Sequence, residues 1–291
     1  MPSRIRLALI AGLLALSTQI ATAETAKYIS SYTWQAPSEK HGGFSGIEVS
    51  DDGQSFTIIG DKGIIVEGAF KRINGQISNV ISHLVGLKNI DGNPVSKPDS
   101  DAEGLAIAPN GQIYVTFEQR HRMWRYRDSK SKAEWMPVHP KFKNFKSNDG
   151  LEALAIDRDG TLFALPEKSG TDWINIYRFK GGKWVQPFSI PRLKHFKAVG
   201  ADFGPDGKFY LLERTIKSVF GFRSRIRRFV ITGNRISDEE ILLETESGQH
   251  DNLEGIAVWR DVAGDIRLTM IADDNFNFFQ TTEFVEYRLQ E

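Results

Sequence analysis

The sequence contains no cysteine, and this absence removes several kinds of chemistry. Disulfide bonds, thiolate metal sites and a cysteine nucleophile are all excluded. The chain also has no G-x-S-x-G nucleophile motif, no H-E-x-x-H zinc motif and no P-loop. A protein without disulfides must be held together by its hydrophobic core, which suits a large domain better than a small scaffold.

The chain lacks an excess of charge of either sign, with 37 basic and 37 acidic residues. This balance argues against general binding to nucleic acid or to an anionic membrane surface. We therefore expect no nucleic-acid partner, and we expect a monomer.

No apolar run reaches the ~20 residues that a membrane-spanning helix needs. The amino-terminal run over 7–16 is shorter, follows two arginines, and precedes the small-x-small sequence Ala21-Thr22-Ala23. This pattern is typical of a Sec-type signal peptide. We predict a signal peptide over 1–23, a mature domain over 24–291, no stable membrane anchor, and a periplasmic or secreted location.

Five copies of one pattern make up most of the chain. Each copy has a short apolar strand, a turn, and a second apolar strand that ends in or near an acid. The copies begin near Phe44, Ala102, Leu151, Val199 and Leu253. Four of the turns carry Asp-Gly or Asn-Gly, which favour tight hairpins. A third strand-like run follows every hairpin, and a fourth follows the first four. Four antiparallel strands per repeat of about 50 residues predict an all-β fold, a single β-propeller of five blades.

The last copy ends without a fourth strand, whereas a spare strand-like run, AKYISSYTW at 26–34, precedes the first copy. We predict that this run completes the last blade and closes the ring, which would remove the exposed sheet edges. The long segments 71–100 and 215–235 leave room for one more blade, so six blades remain the alternative.

Acids recur at the start of the first strand and at the end of the second strand. These two places lie at the same edge of an antiparallel hairpin, so the acids should meet at one face of the central channel. The strand-start acids are Asp101, Glu103, Asp149, Glu152, Asp202, Asp251 and Glu254. Like charges packed closely raise each other's pKa unless a cation or a basic side chain compensates.

Most strand-end acids are followed closely by a base, and such pairs would either lock neighbouring blades or leave the acids free for a ligand. The fifth copy departs from this pattern, because Asp273 is followed by Asp274 and Asn275. A missing base among many acids favours an oxygen-ligated hard cation, and we predict Ca²⁺. The predicted metal ligands are Asp273, Asp274, Asn275, Glu254, Asp61, Glu118, Glu167 and Glu213.

Four of the six histidines map to the same predicted face as the acids. They are His41, His121, His195 and His250. Among them His250 is the best candidate for a functional role, because it adjoins Asp251 and lies close to Glu254 in the sequence.

The motifs GGFSGIEVSDDG, SDAEGLAIAPNG, DGLEALAIDRDG, LEGIAV and IADDNF together resemble the phytase-like, "esterase-like activity of phytase" domain of exported bacterial proteins. The resemblance covers about residues 41–280. It implies a β-propeller and a phosphoester-hydrolase activity. The channel predicted here is similar in general character to the acidic, calcium-filled channel of the calcium-dependent propeller phytases.

The resemblance implies roles for the channel residues, with a small anionic substrate such as a phosphate ester. Ca²⁺ held by the acids would bind the substrate phosphate and lower the pKa of a bound water. The bases Lys62, Arg120, Lys168 and Arg214 would hold the anionic ester, and Glu103, Glu152 or His250 would act as general base. Two alternatives stay open: a metal-dependent lactonase or carboxylesterase, and a non-enzymatic binding or scaffold propeller.

Overall fold

Every copy of the sequence repeat forms a four-stranded antiparallel sheet in the computed structural model of the chain. The structure describes residues 26–35, 38, 40–146, 149–168, 172–218 and 221–289. The predicted signal peptide over 1–23 lies outside these residues.

The five sheets are the five blades of the propeller. Blade one consists of β2 Phe44–Val49, β3 Ser55–Gly60, β4 Ile64–Ile73 and β5 Gln76–Gly86. Blade two consists of β6 Ala102–Ile107, β7 Ile113–Phe117, β8 Arg122–Tyr126 and β9 Glu134–Trp135. Blade three consists of β10 Leu151–Ile156, β11 Leu162–Pro166, β12 Trp173–Lys180 and β13 Lys183–Pro191. Blade four consists of β14 Lys197–Phe203, β15 Phe209–Ser218, β16 Gly221–Thr232 and β17 Arg235–Glu244. Blade five consists of β18 Asn252–Arg260, β19 Ile266–Asp273, β20 Glu283–Leu289 and the amino-terminal β1 Lys27–Thr33.

The amino-terminal strand β1 closes the ring by pairing antiparallel with β20, from Lys27 opposite Arg288 to Thr33 opposite Glu283. This confirms the predicted closure and the count of five blades. The two long segments that left room for a sixth blade are used differently. Residues 71–100 hold the β4–β5 turn and a connection, and 215–235 lengthen β15 and β16.

The hydrophobic core is divided among the interfaces between adjacent blades. Between blades one and two, for example, buried Ile59 and Ile65 share a cluster with Leu105 and Val115. Four further clusters fill the remaining interfaces in the same way. Each blade therefore buries both of its faces, which explains why apolar residues fill the inner strands instead of alternating with polar ones.

The first strand of each blade carries a β-bulge near its start. The pairing register shifts there in all five blades, for example between Leu151 and Ala153 and between Leu253 and Gly255. A bulge leaves one residue out of the ladder and turns its side chain away from the regular alternation. In four blades the residue at this position is polar, whereas in blade four it is Val199, which packs in a hydrophobic cluster.

A ring of small residues follows the bulge and narrows the channel. The residues are Gly46, Gly104, Ala153, Gly200 and Gly255. A Cβ added at Gly255 would lie 2.9 Å from the Ile47 nitrogen, so only glycine permits this approach of two neighbouring blades. The glycines thus separate the two mouths of the channel.

Helical structure is sparse in the part of the chain that the structure describes, with a single 3₁₀ helix at Pro140–Asn144. None of the described helical structure is long and apolar enough to span a membrane.

Candidate cation site in the central channel

Ten equivalent positions, two from each blade, surround one mouth of the channel. The bulge position of the first strand holds Ser45, Glu103, Glu152, Val199 and Glu254. The position at the end of the second strand holds Asp61, Glu118, Glu167, Arg214 and Asp273. Seven carboxylates and one guanidinium therefore face one another around the axis.

In blade four the strand-end position is occupied by Arg214, and the predicted ligand Glu213 lies one residue too early. Arg214 pairs with Lys197 in the ladder, as Asp273 pairs with Asn252 in blade five. Glu213 points instead to the blade's flank, where Arg225 and Arg227 donate to its fully buried carboxylate at 2.6 to 2.8 Å. The structure thus corrects the assignment of Glu213 as a metal ligand.

The spacing of residues in the sequence indicates that Arg214, and not Glu213, occupies the strand-end position of blade four. Glu118 and Glu167 each lie seven residues after the glycine of their hairpin turn, Gly111 and Gly160. The same spacing from Gly207 leads to Arg214. Because we expected an acid at every strand end, we chose Glu213 in place of Arg214.

The acids of the mouth raise one another's pKa because they are buried together. Burial, followed by the charges of Glu254 and Asp101, raises the pKa of Asp61 to about 7. Burial and the charges of Glu254 and Asp61 raise the pKa of Asp273 to about 9. Glu103 also has its pKa raised, by burial and then by the charge of Glu152 and other acids. A group of acids in this state favours any ligand that supplies positive charge.

The tightest group consists of Asp61, Asp101 and Glu103 at the junction of blades one and two. One carboxylate oxygen from each lies within 4.8 Å of the others. The contacts of two of them are with neutral groups, from Ser45 Oγ to Asp61 at 3.3 Å and from Gln119 Nε2 to Asp101 at 3.3 Å. Among the described residues, no lysine or arginine forms an ion pair with any of the three. Asp101 belongs to this group although the sequence analysis placed it only among the strand-start acids.

The opposite side of the mouth is neutralised by bases. Arg214 contacts Glu254 and Asn252, and its Nη2 lies 3.7 Å from Glu167. Lys197 Nζ lies 2.6 Å from Glu167. Burial would lower the pKa of Arg214, but the carboxylates of Glu254 and its neighbours raise it above the ordinary value. Lys197 was not foreseen, because it lies at the start of a first strand where the other copies carry acids or small residues.

Glu118 and Glu152 lie between these two sides. Glu118 accepts a hydrogen bond from the backbone N–H of Gly150 at 2.7 Å, and its charge is among those that raise the pKa of Glu152. Burial, opposed by the Gly150 N–H, raises the pKa of Glu118 to about 7. Burial and the charge of Glu167 raise the pKa of Glu152 as well. Two neighbouring carboxyls with raised pKa values can serve as an acid and a base.

The residues of the motif Asp273-Asp274-Asn275 lie in two different places, the channel mouth and a loop. Asp273 is buried at the channel mouth, and one of its oxygens accepts from the Asn275 N–H at 2.8 Å. Asp274 binds loop donors with both oxygens, at 3.1 Å from Gly43 N, 3.0 Å from Phe276 N and 3.1 Å from Thr282 Oγ1. Asn275 is exposed, with a positive φ of 47°. The structure therefore brings only Asp273 to the acid group, and Asp274 stabilises the loop.

The three other predicted substrate-binding bases lie nearer the rim than Arg214. Arg120 pairs with Asp99 at 3.1 Å and is 67 % exposed. Lys168 pairs with Asp149 at 2.5 Å and with Glu167 at 3.5 Å. Lys62 holds its ammonium 3.4 Å from the centroid of the Phe276 ring.

The histidines do not converge on the channel, so the structure corrects the proposed catalytic role of His250. Its Nε2 lies 2.7 Å from the Tyr287 hydroxyl, and its ring stacks on Tyr28 of the outer strand of blade five. His41 contacts Ser38, and His195 is exposed. Among these four histidines, only His121 lies beside a channel acid. Its Nε2 contacts the Lys146 carbonyl. A Cβ added at Gly150 would touch both the His121 ring and Glu118, so these two side chains are neighbours.

Asp202 belongs to the opposite mouth of the channel, contrary to its grouping with the strand-start acids. It accepts from the Val258 N–H at 2.6 Å, and Glu48 of blade one accepts from the Ile107 N–H at 3.2 Å. These two acids cap N–H groups of the next blade and line a cavity of about 620 Å³ on the far side of the glycine ring.

Known proteins provide a family and a fold for comparison. The family model described as "Phytase-like: Esterase-like activity of phytase" matches residues 39–276. No curated protein matches the chain. A calcium-binding protein, regucalcin, from Agrobacterium tumefaciens is similar in structure, with a TM-score of 0.51 and 10% identity over 92% of this chain and 97% of that one. An α-L-arabinofuranosidase from Podospora anserina, in complex with cellotriose, has a TM-score of 0.50 and 11% identity over 91% and 97%. At such identities the similarity supports the propeller fold alone.

Proposed function

This chain belongs to the phytase-like family, and from that membership and the acidic channel we propose that it is a hydrolase of phosphate esters that works with a divalent cation, Ca²⁺. One observation carries the proposal: the carboxylates of Asp61, Asp101 and Glu103 lie together with no basic partner among the described residues. Their ligand type supports the choice of metal, because Ca²⁺ binds through carboxylate and other oxygens.

The donor set fits a calcium ion in ligand type and spacing. Ca²⁺ takes its oxygen ligands at about 2.3–2.6 Å, so ligands on the same ion lie up to about 5 Å apart. The three oxygens within 4.8 Å of one another meet this requirement. Asp273 and Glu118 are near enough to add their charge. When bound, the cation would supply positive charge for a substrate oxygen and lower the pKa of a water.

The protein's own residues would position the proton transfer. The charges of Glu118 and Glu152 interact beside the acid group, and burial raises the pKa of Glu118 to about 7. A carboxylate with such a pKa is a suitable general base near neutral pH, so Glu118 would accept the proton of an attacking water. The Gly150 N–H would hold Glu118 in place throughout.

A second candidate, a metal-dependent lactonase or carboxylesterase, is favoured by the state of the bases. Lys168, Lys197 and Arg214 are paired with carboxylates, so they contribute little free positive charge for a phosphate. An uncharged ester or lactone would need only the cation to polarise its carbonyl oxygen.

Hydrolysis assays would separate the two candidates. The purified protein, stripped with EDTA and then supplied with Ca²⁺, should release phosphate from phenyl phosphate and lose this activity when EDTA returns. Asp61→Asn should reduce the rate at least as much as chelation. Phosphate release that is absent with Ca²⁺, while p-nitrophenyl acetate or a lactone is hydrolysed, would transfer the assignment to the second candidate. Turnover of none of these substrates would overturn the hydrolase proposal.

A further inference from the structure

A cavity of about 620 Å³ occupies the channel mouth opposite the candidate cation site. All five blades line it with the same part of the first strand, the residues three to six places after the bulge position. Its volume lies within the range of small-molecule sites, which is about 300–1,000 Å³. Because the ring of small residues separates the two mouths, this cavity is a second compartment that the proposed hydrolysis does not use.

An apolar ring surrounds this cavity, since the fourth place after the bulge is apolar in every blade. Pro109, Pro205 and Trp259 add apolar surface beyond this ring. The members of the apolar ring are Val49, Ile107, Ile156, Phe203 and Val258. A ligand that enters the cavity must therefore present an apolar surface to the ring.

Two carboxylates lie one place closer to the glycines than the apolar ring. The third place after the bulge is alanine in three blades, but it is Glu48 in blade one and Asp202 in blade four. Glu48 accepts from the Ile107 N–H at 3.2 Å, and Asp202 accepts from the Val258 N–H at 2.6 Å, so each carboxylate is tied to a member of the apolar ring. Burial raises the pKa of Glu48, and the charge of Asp202 raises it further. Because blades one and four are not neighbours, this interaction acts across the channel axis.

No base compensates these two acids in the part of the chain that the structure describes. Glu48 and Asp202 contact backbone N–H groups and form no ion pair. Arg158 and Arg260 also line the cavity, but each donates to a backbone carbonyl of its own surroundings. Besides burial, the charge that raises the pKa of Asp202 is that of another acid, Asp51. A ligand with a positive charge would therefore stabilise the ionised carboxylates.

The spacing of the acids suits an organic cation better than a metal ion. Among the described residues, only Asp61, Asp101 and Glu103 bring three potential metal ligands within 4.8 Å of one another. The two acids of the cavity form no such group. An ammonium group donates up to three hydrogen bonds and can bridge two separate carboxylates. The hydrocarbon part of an amine would then lie against the apolar ring.

We propose that this cavity binds a small primary amine with an apolar body, with the ammonium group between Glu48 and Asp202 and the hydrocarbon part inside the apolar ring. The site is separate from the cation site, so the proposal stands or falls independently of the hydrolase activity.

Isothermal titration calorimetry of the full protein with n-hexylamine, methylamine and n-hexanol tests this proposal. We expect hexylamine to bind at least about tenfold more tightly than the other two, because methylamine lacks the apolar body and hexanol lacks the charge. Glu48→Gln and Asp202→Asn should each weaken hexylamine by about tenfold and leave hexanol unchanged. Both variants keep an oxygen that can accept the backbone N–H, and thermal melts would show that they are folded.

Two controls locate the amine. Asp159 lies in an exposed turn at the same mouth and does not line the cavity, so Asp159→Asn should bind hexylamine like the wild type. The double variant Asp61→Asn with Asp101→Asn removes charge at the other mouth and should also keep this affinity. Loss of hexylamine binding in that double variant, with wild-type binding in Glu48→Gln and Asp202→Asn, would place the amine at the cation site and overturn the proposal. Equal affinity for hexylamine and hexanol, or no binding of hexylamine, would also overturn it.

Discussion

The two sides of the channel mouth use the same repeat positions for opposite purposes. At blades three to five, Glu167 and Glu254 are neutralised by Lys197 and Arg214. At blades one and two, Asp61, Asp101 and Glu103 lie together with neutral partners only, as far as the structure describes the chain. One side is therefore a network of ion pairs that joins blades, and the other is a site with unmet negative charge.

The difference between the two sides depends on the residue at one strand-end position, that of blade four. Arg214 stands at a strand end where the other four copies carry a carboxylate. From there it reaches Glu254 of blade five and approaches Glu167 of blade three. A repeat architecture makes such a change easy to accommodate, because the backbone at the position is the same in every blade. Four predictions test whether charge alone separates the two sides.

The largest loss of stability is expected when the guanidinium group of Arg214 is removed. Arg214→Met would leave the buried carboxylate of Glu254 without its basic partner, which costs about 3–5 kcal/mol of the free energy of unfolding, while Glu167 would keep Lys197. Urea denaturation in EDTA would measure the loss. Arg120→Met is the matched control, since Arg120 is 67% exposed and its ion pair is worth about 1 kcal/mol or less. Similar losses in the two variants would contradict the assignment of Arg214 as the neutralising centre.

The next effect is stabilisation by calcium on the other side. At 100 times its Kd, Ca²⁺ should raise the free energy of unfolding by about 2.7 kcal/mol. The double variant Asp61→Asn with Asp101→Asn should abolish this increment.

The control double variant, Asp149→Asn with Glu167→Gln, removes two acids from the neutralised side and should keep the calcium increment. A wild-type melting temperature that is the same in EDTA and in Ca²⁺ would instead support a non-enzymatic scaffold propeller held by ion pairs alone.

A third, smaller effect is the pH dependence of the metal-free protein. Asp61 and Glu118 have pKa values raised to about 7 in the folded state, and Asp273 to about 9. The folded state therefore holds more protons than the unfolded state above about pH 4, so stability should fall as the pH rises through 7 and on towards 9.

Melting temperatures in EDTA at pH 5, 7 and 9 would show this decline. Asp61→Asn should reduce the fall in melting temperature between pH 5 and 7. Ca²⁺ should oppose the fall in melting temperature because it favours the ionised carboxylates. A melting temperature that rises over this range in EDTA would show that the acids are already compensated.

The smallest effect is expected at the rim of the neutralised side. Lys168 is 43% exposed, and its ion pair with Asp149 is partly solvated. Lys168→Ala should therefore change the free energy of unfolding by about 1 kcal/mol or less. A loss greater than that of Arg214→Met would mean that the neutralised side is held from its rim and not from its buried centre.

Much of the architecture could be predicted from short-range patterns. The turns at Asp52-Gly53 and Asp159-Gly160 form hairpins because apolar runs on each side of them form the paired strands. The missing fourth strand of the last copy and the spare run at 26–34 together predicted the pairing of β1 with β20. These inferences succeed because turn chemistry and strand composition act locally and recur in every copy.

The site was predicted less completely, because contacts across the channel join residues far apart in the sequence. The metal ligands predicted at the strand ends of four blades stay predictions, and in blade four Glu213 was chosen although Arg214 occupies the equivalent position. Asn275 and Asp274 were included by proximity in the sequence, yet one is exposed and the other binds a loop. Side-chain direction next to a bulge or turn depends on the pairing register, which composition does not reveal.

Residue periodicity was sufficient to predict the repeat, a ring of five blades with six as the alternative, the closing strand and the edge at which the acids gather. These follow from periodicity, since each copy must bury the same two faces against its neighbours. Which acids are neutralised could be seen only in the folded ring. That outcome depends on distances between different blades, such as the approach of Lys197 to Glu167 at 2.6 Å. Electrostatic compensation acts through space, and only the closed ring brings these charges together.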